Sequence, residues 1–244
     1  VGYKRLGVYA SLNYLHQPSI QQPCNPVNGI AVVEDYVLAV SAFSGLHVIE
    51  ATGKAKTAVY NKLHISASKN RKAGDKNIVF QTKGQVHALA FSGEYMVVAA
   101  GDQGIYVLDY KNGYDVISHV QTAGFAMDIK SDGKYLYVAE GHAGFSVWQL
   151  KDGALERVSG YKNETGYESV RQVVLYQNFG LAALHIGTHT VAFMDISDPA
   201  SILCKGYSSV KGMMYYKSIV DGLLDGRFAI IAPLALEPVW YDLC

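Results

Sequence analysis

Apolar positions in this chain come in short blocks separated by polar turns, and the blocks recur in groups of three or four. The second block of each group is nearly all apolar, as in Tyr36-Val37-Leu38-Ala39-Val40 and Phe228-Ala229-Ile230-Ile231-Ala232. An aromatic opens it each time, at Tyr36, Tyr95, Tyr135, Phe179 and Phe228. Strands buried on both faces have this pattern, whereas strands with one wet face alternate. The block before it is predicted as a strand over Gly29–Val33, Ala88–Phe91, Asp128–Lys130, Gln172–Leu175 and Tyr215–Ile219. The third block starts at Gly45, Gly104, Gly144, Thr190 and Glu237, and four of the five close on an acid: Glu50, Asp109, Asp195 and Asp242. Steps between the starts are 59, 40, 46 and 47 residues. Fourth strands are predicted at 57–60, 116–120, 156–161 and 202–207.

A β-rich period of roughly 40–50 residues is that of a propeller blade, in which each sheet is buried between two neighbours. The pattern therefore predicts an all-β fold, a β-propeller of five four-stranded blades in a single domain. The blades fall at approximately 27–60, 85–121, 125–161, 169–208 and 212–244. The orphan segment Tyr3–Tyr9 resembles the fourth strands and is expected to close the last blade, leaving no unpaired edge. The rival reading is a piece of a longer propeller. Residues 61–84 are read as an insertion after the first blade. Its basic cluster, Lys69, Arg71, Lys72 and Lys76, forms either a solvated hairpin or a docking arm for an acidic partner.

Composition narrows the function classes. Lys and Arg (21) balance Asp and Glu (21), so nucleic acid and anionic membranes are not expected partners. No apolar run reaches the roughly 18–20 residues of a membrane span. The chain begins at Val1, which suggests either a removed leader or a fragment. Three cysteines allow one intrachain disulfide, and Cys204–Cys244 is one pairing, with three free thiols the other reading. Asn163-Glu164-Thr165 is a glycosylation triplet of a kind common by chance.

The units resemble the LVIVD repeat family. Asp128-Ile129, the run Gly133-Lys134-Tyr135-Leu136-Tyr137-Val138-Ala139, and Gly144-Phe145-Ser146-Val147-Trp148 follow its strand order, and Asp195-Ile196-Ser197-Asp198-Pro199 follows its turn. The resemblance runs over about 27–244, is best in the second and third units, and is interrupted in the fifth by Pro233 and Pro238. It implies a propeller, usually exported from its cell, and carries over no catalytic residues.

The sequence carries few residues arranged for catalysis. Equivalent first-strand positions hold Gly29, Ala88, Asp128, Gln172 and about Tyr216. A glycosidase needs two carboxylates, one as acid and one as base or nucleophile, and only Asp128 is acidic here. Asp128 is better suited to satisfy backbone donors near the channel. No Gly-x-Ser-x-Gly elbow, P-loop or dinucleotide fingerprint is present, and no cofactor is expected. Gly222–Gly226 is read as a turn. His185 and His189 flank a predicted hairpin turn as cross-strand neighbours, with His142 in the corresponding turn one blade earlier, a weak metal pattern. The same turns carry Phe43, Asp102 and Leu234, so they form a varied rim suited to binding. The expectation is a non-enzymatic scaffold outside the cytoplasm, holding a protein, a second copy or a glycan. The alternatives are a carbohydrate-active enzyme and a structural subunit of an extracellular assembly.

Overall fold

The computed structural model describes residues 27–33, 36–41, 45–50, 78–80, 82–83, 85–162, 169–176, 180–187, 190–209, 219–224, 228–231 and 239–242. Every element among them is a strand. They run β1 (Val27–Val33), β2 (Tyr36–Ser41), β3 (Gly45–Glu50), β4 (Ile78–Phe80), β5 (Ala88–Ser92), β6 (Tyr95–Ala99), β7 (Ile105–Asp109) and β8 (Asp115–Val120). Next come β9 (Asp128–Ser131), β10 (Tyr135–Ala139), β11 (Phe145–Lys151), β12 (Ala154–Tyr161), β13 (Val170–Tyr176), β14 (Leu181–Ile186), β15 (Thr190–Asp195) and β16 (Leu203–Ser209). The last are β17 (Ile219–Leu224), β18 (Phe228–Ile231) and β19 (Val239–Asp242).

Consecutive strands pair antiparallel into four four-stranded sheets, and β17–β19 form a three-stranded one. The first strands pack in series, β1 on β5, β5 on β9, β9 on β13 and β13 on β17. Sheets arranged side by side through their first strands are propeller blades around a common axis.

Three apolar cores separate the first four sheets, and the sequence explains how one strand serves two of them. In β6, Met96 and Val98 face the first sheet beside Leu38 and Leu46, while Val97 and Ala99 face the third beside Ile129 and Leu136. In β10, Leu136 and Val138 join that second core, while Tyr137 and Ala139 join the next with Val173 and Leu184. Adjacent strand residues point to opposite faces, so a strand wedged between two cores must be apolar throughout.

Two boundaries differ from the sequence pattern. The fourth strand of the first sheet is Ile78–Phe80, paired to Leu46 and His47, within the segment read as an insertion. The excursion therefore lies between the third and fourth strands of that sheet, and residues 57–60 are outside the described residues. In the fifth sheet the first strand is described over Ile219–Leu224, so Gly222, Leu223 and Leu224 are strand and not turn, and residues 215–218 are outside the described residues. Tyr216 is outside the described residues, as is the segment Tyr3–Tyr9.

The outer strands share a device that the hydrophobic pattern does not show. β8, β12 and β16 each carry one extra residue against their partner, Ile117, Val158 and Lys205, at the same step of the ladder. Such bulges twist a strand edge and make it a poor template for another chain. Beside the bulge, Ser118 Oγ donates to Gly153 O of the next sheet at 2.5 Å, and Ser159 Oγ donates to Pro199 O at 2.6 Å. The equivalent residue in β16 is Gly206, which offers no such donor.

Tyr137 makes the fold sensitive to alkali. Its ring is buried against Phe145, and its hydroxyl donates to Asp132 Oδ2 at 2.8 Å. Burial and that carboxylate hold the phenol well above its ordinary value of 10.0. In the unfolded chain Tyr137 ionises from about pH 10, and in the folded chain only at higher pH. Its share of stability is therefore full below pH 10 and lost above it, by up to about 1.4 kcal/mol per pH unit. Urea titrations of wild type and Tyr137→Phe should show a stability difference that shrinks from pH 9 to pH 11. A difference flat with pH would refute this.

Candidate functional site

The turns between second and third strands build one rim by repetition. In the second sheet, Ala100 N donates to Gly104 O at 2.8 Å and Gly104 N to Gly101 O at 3.1 Å. In the third, Glu140 N donates to Gly144 O and Gly144 N to Gly141 O at the same distances. Asp102 and His142 occupy the same exposed position of this turn. Each turn is also tied to the strand entering the next sheet: Gly101 exchanges hydrogen bonds with Ala126, and Gly141 with Val170. The Asp102 turn is held from outside by Gln121 Nε2, which donates to Asp102 O at 2.6 Å, and by His119 Nε2, which donates to Gln103 O at 2.5 Å. His119 stacks on Tyr106 at 4.1 Å, and burial and the nearby Asp102 hold that phenol above its ordinary range.

Beside the His142 turn lies an open depression of about 720 Å³. Phe125 and Met127 come to it from the connection between the second and third sheets. Lys162 and Ser169 come from the connection to the fourth, Arg171 from the start of β13, and His142 from the rim. Small-ligand sites run roughly 300–1,000 Å³, so the space suits a compact molecule. Phe125 is 37% exposed and packs edge-on to His87 at 5.0 Å. Arg171 is placed by a bulge: Val170 pairs with Ile186 and Gln172 with His185, so Arg171 falls outside the ladder. Bulges re-aim side chains in this way beside functional sites.

Gly29, Ala88, Asp128 and Gln172 are equivalent, since each pairs with the end of its second strand at Val40, Ala99, Ala139 and His185. Asp128 is 3% exposed, and its Oδ2 accepts the Val173 backbone N–H of the next sheet at 3.1 Å. His142 and Asp102 are on the rim. His185 is a strand residue opposite Val191, so its cross-strand neighbour is not His189, which corrects the expected histidine pairing. His189, Phe43, Leu234 and Asn163–Thr165 are outside the described residues. No group of three His, Cys, Asp or Glu among the described residues is placed to hold a metal ion. Cys204 has a free thiol, whose Sγ donates to Gly206 O at 3.8 Å, and Cys244 is outside the described residues.

A second buried acid escaped the sequence reading. Glu140 is 1% exposed, accepts a short hydrogen bond from Ser146 Oγ, and through it anchors Trp148, whose Nε1 donates to Ser146 Oγ at 2.6 Å. Glu140 follows Ala139 in sequence, so by alternation it faces the second-sheet side with Val138 and Trp148. Asp128, opposite Ala139, faces the fourth. The two carboxylates thus lie on opposite faces of one sheet and do not face each other as an acid–base pair. Phe125, Lys162 and Arg171 were also unmarked by any motif.

Residues 83–112 and 123–147 match the LVIVD repeat. These spans fall in the second and third sheets, where the sequence resemblance is best. No curated protein is similar enough to count as a relative. Among solved structures, the chain is similar to the β-propeller domain of Myceliophteria thermophila Cps50 (Swd1), at 10% identity and TM-score 0.56, over 87% of this chain and 64% of that one. It is similar to the WD40 β-propeller domain of Doa1 at 12% identity and TM-score 0.61, over 92% and 67%. The computationally designed Ika8 protein is matched at 11% identity and TM-score 0.57, over 91% and 72%. The chain thus spans about two thirds of the length of the first two. At these identities the likeness carries the fold alone.

Proposed function

We propose that this chain, an all-β propeller carrying LVIVD repeats, is a non-enzymatic binding scaffold that holds its ligand against the rim face around Phe125 and His142. The carrying observation is the contrast between that open depression and the two buried acids. Asp128 and Glu140 are engaged by Val173 N–H and Ser146 Oγ and face apart. The depression is built from connections and turns pinned to rigid sheets, the usual place for binding residues on a β scaffold. In the same reading, Tyr3–Tyr9 supplies the fourth strand of the three-stranded fifth sheet and closes a ring of five blades. Work outside the cytoplasm rests on the LVIVD resemblance alone.

The test incubates the full chain with a panel of oligosaccharides and short peptides, reading binding by saturation-transfer NMR and conversion by mass spectrometry. Binding without conversion, lost in Phe125→Ser, is the expected result. Conversion of any panel member would overturn the scaffold reading in favour of an enzyme.

A further inference from the structure

We infer that the depression beside His142 recognises a carboxylate carried on a compact frame with an apolar face, the chemistry of a uronic-acid sugar. The inference rests on the scaffold reading and names the ligand class for that same site. Three of the lining side chains are Lys162, Arg171 and His142, all of them donors, and none of the described residues lining the space is acidic. The net charge of the chain is zero, so this grouping of donors among the described lining residues is a local feature and not a spill-over from composition.

Arg171 is the principal donor for such a carboxylate. The bulge between Val170 and Gln172 takes it out of the ladder, and it lines the depression. Arg171 already has a partner within the protein. A guanidinium has five N–H donors in a planar fork, so an internal partner can orient the group without using all of them, and a carboxylate is the ligand such a fork fits at two points. Lys162 is exposed at the lip and adds a mobile positive charge. Phe125 and Met127 supply apolar lining beside these groups, and Phe125 is over a third exposed.

The backbone argues for a compact ligand over an extended peptide. Strand addition needs a free row of N–H and C=O groups. Here Gly101 and Gly141 are already bonded to Ala126 and Val170, so both rim turns are closed to a visiting strand.

The experiment titrates the full chain with a galacturonic acid trimer, a matched neutral glucose trimer, free galacturonate and a glutamate-rich peptide, by calorimetry at low and at moderate salt. The acidic trimer should bind at least about tenfold more tightly than the neutral one, and added salt should weaken it. Lys162→Glu, an exposed change that leaves the fold intact by thermal melting, should weaken it about tenfold or more; Arg171→Gln serves as a second variant if it melts like wild type. Free galacturonate binding as tightly as the trimer still supports a carboxylate site and identifies a single sugar acid as the ligand. Equal binding of acidic and neutral trimers, both lost in Phe125→Ser, would overturn the anionic assignment while keeping the scaffold reading. A peptide preferred over every sugar acid would overturn the ligand class, as would binding by none of the four probes. Hydrolysis of a trimer would instead overturn the scaffold reading itself.

Discussion

Gly144→Ala is expected to cost about 3 kcal/mol or more in equilibrium unfolding by urea. Gly144 sits at φ +99°, a region where any side chain is strained, and its Cβ would lie 2.2 Å from the Tyr161 carbonyl oxygen and 3.0 Å from Lys162 Cα. Both obstacles are backbone, so they cannot rotate away. The strand start of β11 or the end of β12 must shift, and that end leads directly into Lys162 of the depression. Gly133→Ala is the control. Its φ of +97° is nearly the same, but a Cβ there meets nothing within 4 Å. It should lose only the conformational part, about 1–2 kcal/mol. The difference between the two variants isolates the close approach. Equal losses would refute it. The same contact recurs one repeat earlier, where a Cβ on Gly104 would lie 2.3 Å from Val120 O, so the glycine that opens the repeat motif is required by the neighbouring outer strand. At Thr190, the fourth repeat does without it. The only non-glycine residues with positive φ among those described are Tyr114 and Asp152.

The sheets were legible because burial on both faces leaves a strong trace in sequence. The runs at 95–99 and 135–139 each had to satisfy two cores, and the aromatic openings and glycine starts fixed their phase. What failed was local. Ile78–Phe80 is three residues beyond a long excursion, too short to show a period, and Thr57–Tyr60 offered a better apolar match nearer by. Gly222-Leu223-Leu224-Asp225-Gly226 has the composition of a turn, yet the irregular register between Ile219 and Leu223 lets part of it remain in the strand. Asp128 was legible because its equivalents in other blades are uncharged. Arg171 was not, because a bulge is a property of two strands together. The outer bulges at Ile117, Val158 and Lys205 were hidden for the same reason. The histidine pattern misled because register decides which positions face each other, and His185 pairs with Val191. Glu140 was passed over because Glu140-Gly141-His142-Ala143-Gly144 reads as an exposed turn. Only tertiary cover makes its first residue a core position: Gly124 lies so close that its Cβ would stand 2.2 Å from Glu140 O.

Glu140→Ala should cost about 3 kcal/mol for reasons that belong to that cover. The substitution removes the acceptor for Ser146 Oγ, and a buried donor left unmade costs about 1–3 kcal/mol. It also leaves a void beside Trp148, which adds to the loss. Glu140→Gln keeps an acceptor oxygen for Ser146 but adds an amide that needs partners of its own, so a smaller loss, about 1–2 kcal/mol, is expected. Trp148 reports on the site directly, because its Nε1 hydrogen-bonds Ser146 Oγ. The chain has two tryptophans, so the measurement is made in a Trp240→Phe background. Glu140→Ala should shift Trp148 emission while the urea midpoint falls, and Glu140→Gln should do both to a lesser degree. If Glu140→Ala left stability and emission unchanged, the acid would not be anchoring Trp148. A buried carboxylate without that structural task would return to the search for catalysis, and with it the enzyme reading that the opposed placement of Glu140 and Asp128 argues against.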